Sequence, residues 1–187
     1  MSSTKEILSS AEQKMKKSLE TVQHELASIR TGKATTALLN GVKVEAYGQL
    51  SPLRQVANVS VIDTKTLSVQ VWDRSLASAV EKAIRESGMG LNPATEGQTI
   101  RVPIPPLTEE RRKEYVKLCK KIAEEGKIAI RNVRRDAIHA IERAEKDKII
   151  SEDEKNRAKK EADALTQKFE KLIDESIAKK EKEIMEV

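Results

Sequence analysis

The feature that most constrains the fold is a long apolar repeat that runs from Leu107 to about Ile150. Apolar residues recur there at steps of three and four, which is typical of one face of an α-helix. At ~1.5 Å per residue such a helix would be roughly 60 Å long. It cannot cover its apolar face alone, so the pattern predicts packing against further helices.

Local signals mark where this helix and the next one begin. The prolines of segment 103–106 prevent an earlier start, because proline lacks an amide hydrogen and restricts the residue before it. Thr108 is a suitable N-cap, and the two glutamates that follow it put negative charge at the positive end of the helix dipole. Ser151 and Glu154 have the spacing of a capping box, which predicts a second helix from that point.

Two more apolar stripes predict the partners of the long helix. The first lies in residues 1–30 and comprises Leu8, Ala11, Met15, Leu19, Val22, Leu26 and Ile29. The second lies in the last helix and comprises Ala158, Ala162, Leu165, Phe169, Leu172, Ile173, Ile177 and Ile184. Burying all three stripes together predicts an antiparallel three-helix bundle made of residues 1–30 and 105–187.

The middle of the chain, residues 31–104, has a different pattern. Short runs of alternating apolar and polar residues predict half-buried strands. Residues 75–87 break that pattern with helical spacing, Ser51-Pro52 is predicted to be a turn, and residues 88–98 are predicted to be a loop. We therefore predict an α+β fold in which a small α+β domain is inserted into the bundle.

Two short junctions would connect the inserted domain to the bundle, near Arg30–Lys33 and near Val102–Pro106. One contains glycine and the other is rich in proline, so both a hinge and a rigid elbow are compatible with the sequence. The candidate hinge residues are Thr31, Gly32, Val102, Pro103, Pro105 and Pro106.

One side of the long helix carries a cluster of positive charge. Residues 105–150 hold thirteen basic and nine acidic residues, whereas residues 151–187 hold nine and eleven, in a chain of net charge +5. At ~100° per residue, seven cations gather on the side away from the apolar stripe. This cationic face comprises Lys113, Lys117, Lys120, Lys127, Arg131, Arg134 and Arg135.

Two interpretations of the cationic face are possible. It could be an ordinary solvated surface with intrahelical pairs Glu110–Lys113, Glu114–Lys117 and Glu124–Lys127. The concentration of arginine favours phosphate binding, because the planar guanidinium group can contact a phosphate at two points. With only 2% aromatic residues, base stacking is disfavoured, which leaves folded RNA or DNA contacted through its backbone.

No catalytic or metal-binding arrangement is evident. Cys119 falls on the apolar stripe, and His24 and His139 lie on separate helices without a nearby cysteine pair. The glycine-containing segments lack the lysine and hydroxyl residues of a phosphate-binding loop. We expect no cofactor, no disulfide, no membrane partner and no targeting segment, and a reducing cytoplasm suits the single cysteine.

Seven motifs together resemble the bacterial ribosome recycling factor family, in the same order and over nearly the whole chain. They are IRTGKA (29–34), YGQLSPLRQVA (47–57), AVEKAI (79–84), GLNP (90–93), IRVPIPPLTEERR (100–112), RNVRRDA (131–137) and ISEDE (150–154). The resemblance implies an L-shaped molecule about the size of a transfer RNA, with a three-helix bundle and a small β/α/β domain on a flexible elbow.

The resemblance also implies a function without catalysis by the chain itself. Such factors bind the ribosome after termination and act with elongation factor G and GTP to separate the subunits, which releases messenger RNA and deacylated transfer RNA. The bundle would contact RNA of the large subunit, and we expect a cytoplasmic monomer. The implied RNA contacts are Arg131 and Arg134, with Arg30, Lys33, Arg112, Lys127 and Arg135 as further candidates.

Two of these candidates carry qualifications. The family often has arginine where this chain has Lys33. Lysine keeps the positive charge but cannot contact a phosphate at two points as a guanidinium group does. Arg112 projects near the edge of the cationic face and could instead pair inside the bundle.

Two other classes of protein compete with this interpretation. A helical adaptor or holdase-type chaperone would use its cations only for solubility, would bind proteins and would be indifferent to RNA. An enzyme with a site in the middle domain would turn over a substrate as the isolated protein.

Overall fold

The computed structural model describes residues 3–186, which form four α-helices and six strands. The helices are α1 (Thr4–Ala27), α2 (Ala77–Arg85), α3 (Glu109–Lys146) and α4 (Glu152–Met185). The strands are β1 (Lys43–Ala46), β2 (Gln49–Pro52), β3 (Ala57–Asp63), β4 (Thr66–Val71), β5 (Ala94–Glu96) and β6 (Thr99–Pro103). Long helices with a separate set of antiparallel strands confirm the predicted α+β class.

The chain divides into two compact units. One contains the described residues up to Ala27 together with Glu114–Lys182, and the other contains Ser28–Lys113 together with the described residues from Glu183 onward. The sequence pattern predicts divisions at 30/31 and 104/105. In the structure, the first turn of α3 and the end of α4 instead belong to the unit that contains the strands.

Helices α1, α3 and α4 bury their apolar stripes against each other in the first unit. At one end of the bundle, Ile7 of α1 and Ala158 of α4 lie in one buried cluster with Ala137 and Ile141 of α3. Further along, Val22 of α1 and Ile173 of α4 both face Gly126 of α3. Residue numbers thus rise along α1 and α4 as they fall along α3, so α3 runs antiparallel to the other two.

The helix starts follow the predicted caps. The Arg111 amide donates to the Thr108 hydroxyl at 3.1 Å, and the Glu154 amide donates to the Ser151 hydroxyl, also at 3.1 Å. The ends were predicted less well, because α1 stops at Ala27 instead of residue 30 and α3 stops at Lys146 instead of about 150. Past the end of α3, Lys148 adopts φ 61°, a left-handed conformation that turns the chain toward α4.

The second unit is built on a four-stranded antiparallel sheet in the order β3-β4-β6-β5, with a separate β1–β2 hairpin. Its core includes Val44, Leu67 and Val69 from the strands and Ile84 from α2, all fully buried. Two predictions in this unit were wrong. Ser51-Pro52 lies in β2 instead of a turn, and the predicted loop 88–98 contains β5. Both strands are short and lack the apolar alternation by which the other strands were recognised.

Gly126 marks the closest approach within the bundle. A β-carbon at this position would lie far inside van der Waals contact with Cγ2 of Val22 and 3.3 Å from Cδ1 of Ile173. Valine is branched at Cβ and stiff, so it cannot move aside as a long side chain would. The small residue therefore allows α1 and α4 to pack directly onto the backbone of α3.

We expect Gly126→Ala to destabilise the bundle even though alanine favours helix formation. Overpacking against Val22 should outweigh the gain of ~1 kcal/mol in helix propensity, for a net loss of about 1–2 kcal/mol in the free energy of unfolding. Urea unfolding followed by circular dichroism at the helix band would measure it. Val22→Ala supplies the control, because it should cost less stability in the Gly126→Ala background than in the wild type. Equal costs in the two backgrounds would contradict the proposed contact.

Candidate nucleic-acid interface

The strongest part of the cationic face lies where α3 runs beside α4. Lys127, Arg131, Arg134 and Arg135 occupy two successive turns of α3, in the middle of a helix held by the bundle core. Arg131 and Arg134 keep 52% and 43% of their side-chain surface exposed, whereas Lys127 keeps 22%. The two arginines are therefore anchored on a rigid helix and still accessible to a ligand.

Three carboxylates of α4 pair with three of these cations. Lys127 Nζ lies 2.5 Å from Asp174 Oδ1, and Arg131 Nε lies 3.0 Å from Glu170 Oε1. Arg134 Nε donates to Asp163 Oδ1 at 2.6 Å.

The cross-helix pairs involve three acids of α4 for which the sequence patterns predicted no role. The spacing of Asp163, Glu170 and Asp174 does indicate a row of acids, because steps of seven and four return to the same side of a helix. In an antiparallel pair of helices, that row lies opposite the row of cations on α3.

The pairing leaves most of the Arg134 guanidinium group available. A guanidinium group has five N–H donors, one on Nε and four on the two Nη atoms. Within residues 3–186, the only hydrogen bond of the Arg134 side chain uses Nε, so both Nη groups remain open. Arg131 keeps fewer donors, because Nη1 also contacts Glu124 at 3.5 Å. Arg135 is exposed, and no ion pair of the described chain involves it.

Intrahelical pairing differs from the prediction. Lys113 pairs with Glu109 at 3.5 Å instead of with Glu110. Glu124 contacts Arg131, one turn beyond the predicted Lys127. The cations nearest α4 are thus held mainly by the neighbouring helix, and pairs of residues four apart occur only toward the two ends of α3, at Glu109–Lys113 and Arg143–Asp147.

Arg30 is turned toward the protein backbone. Its Nη1 donates to the carbonyl of Met89 at 3.2 Å and its Nη2 donates to the carbonyl of Pro105 at 3.0 Å. Its Nε is buried without a hydrogen-bond partner, as is Nε of Arg112. Both arginines therefore direct part of the guanidinium group inward, and in Arg30 both ends of the fork already hold carbonyl oxygens.

Lys33 is exposed and lies in an ion pair with Glu186, with 2.6 Å between Nζ and Oε2. The hydrogen bond and the charge of Glu186 raise the pKa of Lys33 above its ordinary value. Thr31, two residues before Lys33, is buried, and its hydroxyl accepts a hydrogen bond from the Lys33 amide at 3.2 Å.

Both predicted junctions are tied to the turn between β3 and β4. The Ala34 amide donates to the Thr64 carbonyl at 2.8 Å, and the Ile104 amide donates to the Lys65 carbonyl at 2.7 Å. Val102 and Pro103 belong to β6, where they pair with β4. Among the candidate hinge residues, Gly32, Pro105 and Pro106 remain outside the regular elements together with Thr31.

Other kinds of site find little support in the described residues. No group of three or more His, Cys, Asp or Glu side chains there could hold a metal ion. Burial raises the pKa of the Cys119 thiol, which makes it a poor nucleophile. No helix in this part of the chain has the length and hydropathy that a membrane span requires.

Comparisons with known proteins agree on one family. A family model described as ribosome recycling factor matches residues 22–185. The ribosome-recycling factor of Chlorobium limicola is 66% identical over 183 residues, which cover 98% of each chain. The corresponding protein of Chlorobaculum parvum is 63% identical over 183 residues, again 98% of each chain.

Two solved structures are similar to the whole chain. A solution structure of a ribosome recycling factor has a TM-score of 0.76 at 45% identity and covers 100% of both chains. A T. thermophilus ribosome recycling factor, described together with E. coli elongation factor G bound to the E. coli post-termination complex, has a TM-score of 0.68 at 45% identity. That similarity covers 99% of this chain and 100% of the other.

We expect Arg30→Ala to destabilise the second unit by about 1–3 kcal/mol, because two partly buried carbonyls lose a charged donor. Arg30→Lys should restore only part of the loss, since an ammonium group cannot reproduce the two-pronged fork. Urea unfolding monitored by the fluorescence of Trp72, the single tryptophan, would report on this unit. Arg74→Ala, at an exposed position of the same unit, is the matched control. Equal effects of Arg30→Ala and Arg74→Ala would contradict a structural role for Arg30.

Proposed function

Because the chain belongs to the ribosome recycling factor family, we propose that it binds the ribosome after termination and promotes separation of the subunits. It would act with elongation factor G and GTP, as a cytoplasmic monomer, and release messenger RNA and deacylated transfer RNA. The family consists of non-enzymatic translation factors, so GTP would be hydrolysed by the elongation factor. The pairing of a similar factor with elongation factor G on a post-termination complex supports the partner.

The bundle would contact RNA of the large subunit through the exposed arginines of α3. The observation that carries this proposal is the state of Arg134, whose Nε is held by Asp163 while both Nη groups remain open. Those two groups can bind two oxygens of one phosphate. Arg131 and Arg135 would extend the contact along the helix, with Lys127 adding charge.

The remaining candidates would contribute less to RNA binding. Arg30 uses both Nη groups on backbone carbonyls, and the Nε of Arg112 is buried. Lys33 is accessible, but a phosphate would compete there with Glu186. We therefore rank these three behind the arginines of α3.

We also propose that the segments around Thr31-Gly32 and Val102–Pro106, which lie inside the second unit close to its boundaries at 27/28 and 113/114, act as a hinge. The ladder pairing of β6 holds Val102 and Pro103, so movement would concentrate at Gly32 and at Pro105-Pro106. Gly32 has no β-carbon, so rotation of its backbone is less restricted than at other residues.

We expect Arg134→Glu to abolish or strongly reduce subunit splitting. Purified post-termination ribosomes would be mixed with the protein, elongation factor G and GTP and followed by light scattering. The charge reversal places a carboxylate where a phosphate should bind. The milder Arg134→Ala should flatten the slope of log affinity against log salt by about 0.7–0.9, as expected for the loss of one phosphate contact.

Arg143→Glu is the matched control, because Arg143 is 85% exposed on α3 and lies roughly 180° around the helix from Arg134. It should split ribosomes as the wild type does, and circular dichroism should show both variants folded. A wild type that neither splits nor binds ribosomes at any salt concentration would instead favour the helical adaptor.

A further inference from the structure

We propose that Asp163 and Glu170 of α4 are positioning residues that hold the guanidinium groups of Arg134 and Arg131 ready to receive RNA phosphate. This inference rests on the proposed function and assigns a role to a second helix of the same face. The acids would not touch the RNA. They would act through the arginines, so the binding surface would be built by α3 and α4 together.

The Asp163 contact has the geometry that positioning requires. Its Oδ1 accepts from Nε of Arg134 at 2.6 Å, the short distance expected of a charge-assisted hydrogen bond. The single hydrogen on Nε is engaged in this hydrogen bond, and the outer edge formed by Nη1 and Nη2 is left free. The carboxylate therefore fixes the plane of the guanidinium group without occupying the edge that binds phosphate.

Glu170 makes the equivalent contact one turn earlier on α3, where its Oε1 accepts from Nε of Arg131 at 3.0 Å. Glu170 is 28% exposed, so its own side chain is well restrained. Arg131 is also contacted by Glu124 through Nη1, which leaves Nη2 as its open end. Asp163 is consequently the cleaner test of positioning, and Glu170 provides an independent second case.

Asp163 has two opposite effects on phosphate binding: it restrains the arginine side chain, which favours binding, and its negative charge repels the phosphate. A free arginine side chain loses rotamer freedom when it binds a phosphate, whereas one already held by a carboxylate loses little. The negative charge of Asp163 repels the phosphate, but Asp163 is 49% exposed and the high dielectric of the surrounding water weakens that repulsion. We therefore expect restraint to dominate.

The test compares Asp163→Ala with Asp163→Asn in binding to purified large ribosomal subunits at one salt concentration. The asparagine oxygen can still accept from Nε, so Asp163→Asn should bind within about twofold of the wild type. Asp163→Ala removes the acceptor and should bind about two- to tenfold more weakly. Equal affinities for the two variants, or tighter binding by Asp163→Ala than by the wild type, would overturn the proposal.

Two further readouts separate positioning from a general structural effect. In an Arg134→Ala background, Asp163→Ala should cause no additional loss, because its effect passes through that arginine. Asp163→Ala should also keep the wild-type salt slope, since the number of phosphate contacts is unchanged. An additional loss in the double variant would overturn the proposal.

A control variant tests whether removal of any paired acid weakens binding, and a second pair of variants repeats the comparison at Arg131. Asp147→Ala removes an acid whose partner, Arg143, lies off the cationic face, and it should bind as the wild type does. If Asp163→Ala fails the folding check by circular dichroism, Glu170→Ala against Glu170→Gln makes the same comparison at Arg131. A wild type that does not bind large subunits would refute the proposed function, whereas wild-type binding with equal Ala and Asn variants would refute only the positioning role.

Discussion

The contact of α1 and α4 with the backbone of α3 at Gly126 is the constraint on which the bundle depends. Val22 and Ile173 fill the space that a side chain would occupy there. This close approach sets the separation and register of the helices. The next residue, Lys127, then lies opposite Asp174, and the following turns bring Arg131 and Arg134 within reach of the acids of α4. The apolar core and the charged surface are thus consequences of the same packing.

Much of the fold could be predicted because its signals are local. The helices were recognised from apolar spacing, and their starts from the hydroxyls of Thr108 and Ser151, which cap them as expected. The failures lie where pairing with distant residues overrides local preference. Ser51-Pro52 resembles a turn but pairs with β1, and residues 94–96 form a strand only because β6 lies beside them.

The candidate site was predicted in part, for the same reason. The cations of α3 share one helix, so their clustering was visible from the sequence. Their carboxylate partners lie 29 to 47 residues away in α4, and only the packed bundle identifies Asp163, Glu170 and Asp174 as their neighbours. Arg30 shows the converse case, because a cation beside a predicted junction was expected to contact RNA, whereas both of its Nη groups donate to the carbonyls of Met89 and Pro105. No local signal distinguishes an arginine that faces solvent from one that faces its own backbone.

The paired cations of α3, Lys127, Arg131 and Arg134, also affect how the protein encounters polyanions. The three cations each have a carboxylate within 2.5 to 3.0 Å, so their fields largely cancel beyond about 8 Å, the Debye length at physiological ionic strength. These three pairs therefore add little to the long-range attraction of a polyanion, which is left to other cations of the face such as Lys117, Lys120 and Arg135 and to the net charge of +5. The open Nη groups act only at contact distance. The contribution of the paired arginines to selectivity would therefore arise after collision, from the lifetime of a complex whose phosphates fit their open groups.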